Sequence, residues 1–333
     1  MTGGRIAVDA MGGDNAPGTI LDGALASLEG EGGLSADRIV LVGDAEQISA
    51  QLLERGGNPG FEVQHASEVV GMEEDPRRAM RSKPDNSISR AAALVKQGEA
   101  AGLVSMGNTG MVVAASTLLL GRLKGIRIPA IAVTVGVTGK PMVLLDMGAN
   151  VEATPENLLE NGVMGSIYAQ DCLGMEEPRV GLLNVGEEPE KGTKRCKEAH
   201  QLLAMSGLAF IGNVEGGDVF GGGVDVVVTD GFTGNVILKL LEQFGGFVLR
   251  KVASAAAEAG MELSPEVLGT VMHDLDYASY GGALLLGVDG VVVIGHGMSD
   301  ARAVGNALSR AFKAADAGVN DHIIGGLEAC RMV

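Results

Sequence analysis

Residues Asp225–Asn235 read DVVVTDGFTGN, and this stretch decides which fold class the sequence predicts. Three consecutive valines are typical of a strand buried in a parallel sheet. A polar, glycine-rich turn follows the valines directly, and apolar residues at helical spacing resume at Val236. The stretch therefore predicts a strand, a turn and a helix start, which is the arrangement at which open α/β sheets bind ligands.

The same succession recurs along the whole chain. Other apolar runs also end in glycine together with Asp, Asn, Ser or Thr, and a helical pattern follows each of them. This alternation predicts a three-layer α/β/α doubly wound sheet that forms a single domain over residues 1–333. From about 236 to 275, two amphipathic helical patterns separated by Gly260 and Pro265 predict a projecting helical hairpin.

One of these turns has a counterpart elsewhere in the sequence. Ser105–Val113 reads SMGNTGMVV and Thr229–Ile237 reads TDGFTGNVI, so both place Gly-x-Thr-Gly before an apolar helix start. A duplicated unit and two unrelated turns both explain the match. If the turns are equivalent, we expect them to line one crevice from two sides.

The composition excludes several classes of protein. Apolar residues make up 46% of the 333, which is enough for a large core, and the net charge of −17 argues against nucleic acid as a partner. The three cysteines lie far apart without a C-x-x-C pattern, which favours a reducing compartment. No stretch resembles a signal peptide or approaches the roughly 20 apolar residues of a membrane span, so a cytoplasmic protein is expected.

Five strand-end turns carry the candidate ligand-binding groups, namely residues 105–110, 146–150, 184–194, 229–235 and 295–299. Their backbone N–H groups, hydroxyls, amides and lysines suit a phosphate-like anion. The candidate site residues in these turns are Ser105, Gly107, Asn108, Thr109, Gly110, Asp146, Asn150, Asn184, Lys191, Lys194, Asp230, Gly231, Thr233, Gly234, Asn235, His296 and Ser299. The turn after the first strand adds Asp9, Gly12 and Gly13, either as an Asp-capped tight turn or as a crevice wall. His200, on the helix after the lysine-rich loop, and His296 are better candidates for chemistry than the other histidines.

Common catalytic and cofactor signatures are missing from the sequence. The patterns G-x-x-x-x-G-K-[ST], G-x-G-x-x-G and G-x-S-x-G are absent, and no His and Cys residues have the spacing of a metal site. No cofactor and no metal are therefore predicted. The residues by themselves indicate an α/β enzyme that binds a phosphate-like anion.

A basic cluster interrupts this acidic sequence. Arg77, Arg78, Arg81 and Lys83 lie within seven positions of one another. The cluster is interpreted either as a solvated helix face or as a local positive patch that docks an acidic partner.

Eight motifs occur in order over nearly the whole chain: VDAMGGD, SMGNTG, DMGAN, NVGEE followed by KG, FIGNVEG, DGFTGNV, DYASYGGA with LLG, and HGMSDA. Together they resemble the bacterial acyl-acyl-carrier-protein:phosphate acyltransferase family, PlsX. Two positions depart from the family's pattern, because Met111 stands after GNTG where alanine is usual and Leu284 stands where proline is common.

The resemblance implies a reaction and its partners. A long-chain fatty acyl group would pass from acyl-carrier-protein to inorganic phosphate, and the acyl phosphate would feed a downstream glycerol-3-phosphate acyltransferase in phospholipid synthesis. The family also implies a homodimer whose core is like those of phosphotransacetylases and isopropylmalate-type dehydrogenases. Peripheral membrane contact is implied at the hairpin tip, near Met261, Leu263 and Val267.

The resemblance also suggests roles for the candidate residues. Lys191 and Lys194, with turn amides near 107–110 and 231–235, would hold phosphate for direct attack on the thioester carbonyl. Asn108 and Asn235 would donate to the oxyanion, while Asp230 and His200 would orient these groups or move a proton. The carrier protein would dock on Arg77, Arg78, Arg81 and Lys83, on Arg122, Lys124 and Arg127, or on the cluster at 191–197. The rival functions are a coenzyme A-dependent phosphate acyltransferase, a decarboxylating dehydrogenase and a non-enzymatic membrane-docking scaffold.

Overall fold

A computed structural model describes residues 4–29, 33–137, 139–261, 264 and 281–330, and it confirms the predicted mixed α/β architecture. The chain divides into two compact units: Met1–Pro129 with Tyr280–Met332 form unit 1, and Ala130–Ser279 form unit 2. The single domain predicted over the whole chain stays a prediction.

Strands and helices alternate through most of the chain. The strands are β1 (Ile6–Asp9), β2 (Ile39–Gly43), β3 (Glu62–His65), β4 (Gly102–Ser105), β5 (Ala130–Val137), β6 (Lys140–Leu145), β7 (Val180–Leu183), β8 (Phe210–Val214), β9 (Val226–Val228), β10 (Ala283–Leu286) and β11 (Val291–Ile294). The helices are α1 (Gly18–Ala26), α2 (Ala45–Glu54), α3 (Pro76–Ser82), α4 (Ser87–Lys96), α5 (Thr109–Ala115), α6 (Pro155–Leu173), α7 (Lys194–Ala204), α8 (Asp218–Gly221), α9 (Gly231–Glu258), α10 (Ala301–Ala317) and α11 (Val319–Cys330).

Unit 1 is built on strands in the order β3-β2-β1-β4-β11-β10, in which only the β10–β11 pair is antiparallel. The residues of β1 and β4 are buried, as expected for a parallel strand covered on both faces. Ser105 lies opposite Asp9 on one side and Ile294 on the other. The turns after β1, β4 and β11 therefore leave the sheet at the same edge.

Unit 2 contains strands in the order β5-β6-β9-β7-β8. β5 and β6 form an antiparallel pair, and the remaining neighbours are parallel. Val228 lies opposite Leu145 of β6 and Leu182 of β7. The turns after β6, β7 and β9 accordingly share one edge, as the sequence predicts.

Strands β5 and β10 and the helices α3, α8 and α11 were not predicted as elements from the sequence, although a helix face was one interpretation of the basic cluster on α3. β5 and β10 each pair with the next strand across a short connection, so neither has the following helix that marks a parallel strand. α3 does carry a start signal, since Asp75 accepts from the Arg78 N–H and Pro76 occupies the first turn. The α-helix that starts at Thr109 ends at Ala115, and the chain continues as a π-helical turn over Ser116–Leu120.

The first arm of the predicted hairpin is α9, which begins at Gly231 rather than near Val236 because Asp230 caps it. The second arm, near 265–275, lies outside the described residues. Within the part of the chain that the structure describes, no helix has the length and apolar content needed to cross a bilayer.

Candidate active site

Asp9 and Ser105 form the buried centre of the strand-end turns in unit 1. The Ser105 hydroxyl donates to Asp9 Oδ2 at 2.7 Å and accepts from the Gly107 N–H at 3.0 Å. Burial raises the pKa of the Asp9 carboxyl above its ordinary value, and hydrogen bonds from Ser105 and Ser87 oppose that rise. A Cβ at Gly12 would lie 2.3 Å from Asp9 Oδ2, so only glycine allows this close approach. Asp9 thus holds the turns after β1 and β4 together.

The turn 295–299 adjoins this centre. The Gly295 N–H donates to the Ser105 carbonyl at 2.9 Å, and the Gly297 carbonyl accepts from the Asp14 N–H at 2.8 Å. Ser299 closes the turn, because its hydroxyl accepts from the His296 N–H at 3.2 Å and its own N–H donates to the His296 carbonyl at 2.9 Å. His296 Nδ1 accepts from the Met298 N–H at 3.2 Å, which orients the imidazole ring within the turn. Gly13, which has φ of +103°, lies against the same turn.

Asn108 is the N-cap of α5, and both the oxygen and the nitrogen of its side-chain amide form hydrogen bonds with the backbone. Its side-chain oxygen accepts from the Met111 N–H at 3.0 Å, which caps the helix. Its Nδ2 atom donates to the carbonyls of Gly71, Met72 and Glu74 at 3.2, 2.8 and 3.0 Å. The predicted oxyanion donation would require Asn108 to release these carbonyls. The neighbouring Thr109 and Gly110 are exposed in the first helical turn, where N–H groups have no intrahelical acceptor.

Asp146 organises the strand-end turns of unit 2. Its Oδ1 accepts from the N–H groups of Ile131, Gly148 and Ala149 at 2.9 to 3.0 Å, and its Oδ2 accepts from the Asn150 N–H at 2.6 Å. Burial raises the pKa of this carboxyl, and these backbone donors oppose the rise. Asp146 therefore stabilises this turn, and the substrate-binding role predicted for it stays a prediction.

The first turn of α9 packs directly on the Asp146 turn. The Gly231 N–H donates to the Asn150 carbonyl at 2.8 Å. A Cβ at Gly234 would lie 1.9 Å from the Asp146 carbonyl oxygen, and the Cβ of Asn235 lies 3.5 Å from the position of a Cβ at Gly148. The glycines explain how closely these two turns approach each other.

Asp230 joins α9 to the lysine-rich loop. It caps the helix by accepting from the Thr233 N–H at 2.9 Å, and its second oxygen accepts from Arg195 at 2.8 Å. The Thr233 hydroxyl also donates to Asp230, at 3.3 Å. The orienting role predicted for Asp230 stays a prediction, and its described partners are Arg195 and Thr233.

The lysine-rich loop, residues 184–197, includes the first turn of α7 and is held by two asparagines. Asn184 Nδ2 donates to the Lys191 carbonyl at 3.2 Å, and Asn213 Nδ2 donates to the Glu188 carbonyl at 2.8 Å. Lys191 and Lys194 are exposed and lie 3.8 and 3.5 Å from the carboxylates of Glu188 and Glu198. Such long, exposed ion pairs stabilise the fold little, so both ammonium groups can turn to another anion.

His200 and Asn235 contrast in their surroundings. The His200 ring packs 5.1 Å from the Phe210 ring, and its buried Nδ1 has no hydrogen-bond partner among the described residues. Asn235 is exposed on the first turn of α9, and no described residue contacts its amide by a hydrogen bond. Of the two asparagines predicted to donate to an oxyanion, Asn235 has its N–H groups available.

The predicted docking cluster separates into two parts. Arg77, Arg78 and Arg81 are exposed on α3, where they line a concavity together with Asp75 and Ser82. In the described ranges, none of the three arginines forms an ion pair with a carboxylate. Lys83 differs, because it pairs with Glu74 and donates to the Val69 carbonyl at 2.7 Å. The three arginines are hereafter called the arginine helix face.

The comparisons with known proteins agree with these motifs. The family model described as "Fatty acid synthesis protein" matches residues 4–322. The chain belongs to the fatty acid synthesis protein family. This confirms the resemblance on which the motifs were interpreted.

Relatives within the fatty acid synthesis protein family match nearly the full chain. A protein of Heliobacterium modesticaldum named "Phosphate acyltransferase" is 46% identical over 335 residues, covering 97% of this chain and 99% of the relative. A protein of Desulfitobacterium hafniense with the same name is 44% identical over 334 residues, covering 96% of each chain. Among solved structures, a phosphotransacetylase from Streptococcus pyogenes has a TM-score of 0.64 at 17% identity and covers 95% of both chains. At that identity the structural likeness establishes the fold alone, as the sequence analysis expected.

Three residues that contact the candidate site were not among the site residues predicted from the sequence. Arg195 pairs with Asp230, Asn213 holds the lysine-rich loop, and Ser87 hydrogen-bonds to Asp9. Arg195 and Asn213 lie inside the motifs NVGEE…KGTKR and FIGNVEG, so the signal was present. Ser87 comes from a helix start, and its approach to β1 depends on packing that no local pattern reveals.

Proposed function

We propose that this chain is a phosphate acyltransferase that moves a long-chain acyl group from the thioester of acyl-carrier-protein to inorganic phosphate. The observation that carries the proposal is the 46% identity, over 97% of the chain, to a relative named phosphate acyltransferase. The acyl phosphate product would be consumed by a glycerol-3-phosphate acyltransferase in phospholipid synthesis. Strand-end turns rich in polar groups support an anionic substrate such as phosphate.

The proposed chemistry is a direct displacement. A phosphate oxygen attacks the thioester carbonyl carbon, a C–O bond forms, the C–S bond breaks, and the carrier thiolate leaves and takes up a proton. Phosphate is already anionic at neutral pH, so the enzyme has to position it and to stabilise the tetrahedral oxyanion. In unit 2 we assign phosphate binding to Lys191 and Lys194 with the first-turn N–H groups of α9, and donation to the oxyanion to Asn235. In unit 1 we assign substrate binding to the first-turn N–H groups of α5.

The reaction is tested by incubating the purified protein with palmitoylated carrier protein and phosphate. Acyl phosphate is trapped with hydroxylamine as the hydroxamate, and a reaction without phosphate corrects for direct attack on the thioester. Palmitoyl-coenzyme A is the parallel donor. Phosphate-dependent hydroxamate from the carrier protein is expected, whereas product from coenzyme A alone would establish the rival phosphotransacetylase-type function.

We assign carrier-protein docking to the arginine helix face. The carrier protein is acidic and this chain has a net charge of −17, so attraction requires a local positive surface. The arginines of α3 meet this need because their charges are not neutralised by ion pairs within the described residues.

Reversing two of these charges, as Arg78→Glu with Arg81→Glu, is expected to raise the KM for palmitoylated carrier protein at least about tenfold. The KM for phosphate should stay within about twofold, because the substitutions remove attraction for the donor protein only. Steady-state kinetics at low and high salt measure both constants. Lys313→Glu, an exposed charge reversal on α10, is the control. An unchanged carrier KM would move docking to another basic cluster.

We propose that a second copy of the chain covers the exposed face of α9. Phe232, Val236, Leu240, Phe244 and Val248 recur every four residues and are between 37% and 64% exposed. An apolar stripe of this length is typical of a helix that packs against a partner. The family resemblance supports a homodimer as the assembly that covers it.

Leu240→Glu is expected to raise the dimer dissociation constant about 100-fold, since the symmetric interface would bury two unpaired carboxylates. Sedimentation equilibrium or light scattering over a concentration series measures it. Leu53→Glu makes the same change at a leucine that is 76% exposed on α2 and should leave the assembly intact. A parent protein that is monomeric at all concentrations would contradict the proposed interface.

We also propose a cytoplasmic protein with peripheral membrane contact at the end of α9. Met261 there is 62% exposed, while Leu263 and Val267 lie outside the described residues. Burial of such a side chain in a bilayer contributes about 1.5–3 kcal/mol, so Met261→Glu should lower the vesicle partition coefficient at least about tenfold. Flotation with vesicles measures this, and Met205→Glu, at a methionine 61% exposed, is the control. Equal flotation of all three proteins would contradict the proposed contact.

A further inference from the structure

The loop at 71–74, which precedes α3 and its arginine helix face, is connected by hydrogen bonds to the turn from which α5 starts. Asn108 makes most of this connection, since it donates to three carbonyls between Gly71 and Glu74 at 2.8 to 3.2 Å. Within the loop, the Gly71 N–H donates to the Glu74 carboxylate at 2.8 Å. Lys83, at the far end of α3, pairs with the same carboxylate. Both ends of α3 are therefore connected to the loop at 71–74, and Asn108 connects that loop to the start of α5.

Close packing of Gly110 against the Pro76 ring reinforces the connection. A Cβ at Gly110 would lie 2.7 Å from Pro76 Cγ, so the first turn of α5 and the first residue of α3 pack without room for a side chain. The loop also reaches the turn 295–299, where a Cβ at Gly297 would lie 2.7 Å from Met72 Cε. Movement of α3 must therefore also move the turn that contains the exposed residues Thr109 and Gly110, unless the hydrogen bonds from Asn108 to the loop break.

We infer that Asn108 is a positioning residue that couples carrier-protein docking on α3 to the substrate-binding turn at 105–110, and that it does not donate to the oxyanion. This inference rests on the proposed docking of the carrier protein on the arginine helix face. In the described structure the Asn108 amide hydrogens are already shared among backbone carbonyls, so the side chain stabilises the arrangement of two substrate-binding elements. A connection of this kind links the two binding events reciprocally.

Two substitutions separate helix capping from the connection to the loop. Asn108→Asp and Asn108→Ser both keep an oxygen that can accept from the Met111 N–H, so α5 remains capped. Both lose the donors to the 71–74 carbonyls, and the aspartate also repels those oxygens. The aspartate should therefore have the larger effect on the donor protein.

The test is a kinetic comparison with palmitoylated carrier protein as the donor. Asn108→Asp is expected to raise the KM for the carrier protein about tenfold, and Asn108→Ser about threefold, with kcat within about threefold of the parent. The effect of Asn108→Asp should be smaller in the Arg78→Glu/Arg81→Glu background, because both changes act through α3. Asn58→Asp, in a turn where the side chain donates to the Phe61 carbonyl at 2.9 Å, is the matched control and should change neither constant.

Three results would overturn the inference. A loss of kcat of about 100-fold or more with unchanged carrier KM would mean that Asn108 does donate to the oxyanion. Full additivity with the arginine substitutions would mean that the two act independently. An arginine variant with parental KM would remove the docking on which the inference rests. In each case the parent enzyme still makes acyl phosphate, whereas a parent that makes none contradicts the proposed function itself. Circular dichroism at 222 nm confirms that each variant is folded.

Discussion

Asn235→Ala is expected to lower kcat about 100- to 1000-fold while the KM for phosphate changes little. The side chain lies exposed in the first turn of α9, and no described residue uses its amide. A thioester oxygen gains most of its charge only when the carbonyl carbon becomes tetrahedral. A donor at that oxygen therefore stabilises the transition state more than the bound substrate.

The variant is suited to this test because its fold should be intact. Alanine is the best helix former, and Asn235 contributes neither the cap of α9 nor a buried hydrogen bond. Hydroxamate formation under saturating carrier protein and phosphate gives kcat, and phosphate titration gives KM. Asn235→Asp, which has no N–H to donate, should be at least as inactive. If Asn235→Ala turns over at near the parental rate, the oxyanion is stabilised by another group.

Asn235 and Asn108 show that the role of an asparagine at a strand end is not predictable from the local sequence. Both residues follow glycine-rich turns at strand ends, and their nine-residue surroundings match closely. In the fold, however, Asn108 is the cap of α5, whereas Asp230 caps α9 and leaves Asn235 inside the first turn. The N-cap residue therefore stands at a different position in each of the two matching motifs. For this reason the two asparagines differ in role although the surrounding sequences are similar. Hydrogen bonds to the loop at 71–74 come from a distant part of the sequence and leave no local signal.

The sequence predicted the sheet edges well because strand ends are local. A β-branched run followed by glycine and a capping residue specifies a strand, a turn and a helix start within a dozen residues, as at Val226–Gly231. The same reasoning located the Asp146 and Ser105 turns. It missed β5 and β10, whose identity depends on antiparallel partners rather than on a following helix. It also missed Arg195, because only the structure brings α7 to the cap of α9.

Gly234→Ala is expected to lower the free energy of unfolding by about 3 kcal/mol, at the upper end of the usual cost of overpacking. The new methyl group would lie 1.9 Å from the Asp146 carbonyl oxygen. Asp146 cannot easily move away, because its side chain accepts four backbone hydrogen bonds. Neither the turn nor the helix can shift alone, since the Gly231 N–H also donates to the Asn150 carbonyl.

Gly246→Ala is the matched control, because it makes the same substitution in the same helix. A Cβ at Gly246 would meet only the flexible end of the Arg250 side chain, at 3.3 Å. Replacing a helical glycine there should raise the free energy of unfolding by about 0.5–1 kcal/mol, since alanine restricts the unfolded chain. Urea denaturation followed by circular dichroism compares the three proteins. Opposite signs at Gly234 and Gly246 would show that close packing at the Asp146 turn, and not helix propensity, requires glycine in the GFTGN motif. If both Gly234→Ala and Gly246→Ala are stabilised, the Asp146 turn moves to accept the new methyl group. The close packing that fixes the position of Asn235 would then not support its assignment to the oxyanion.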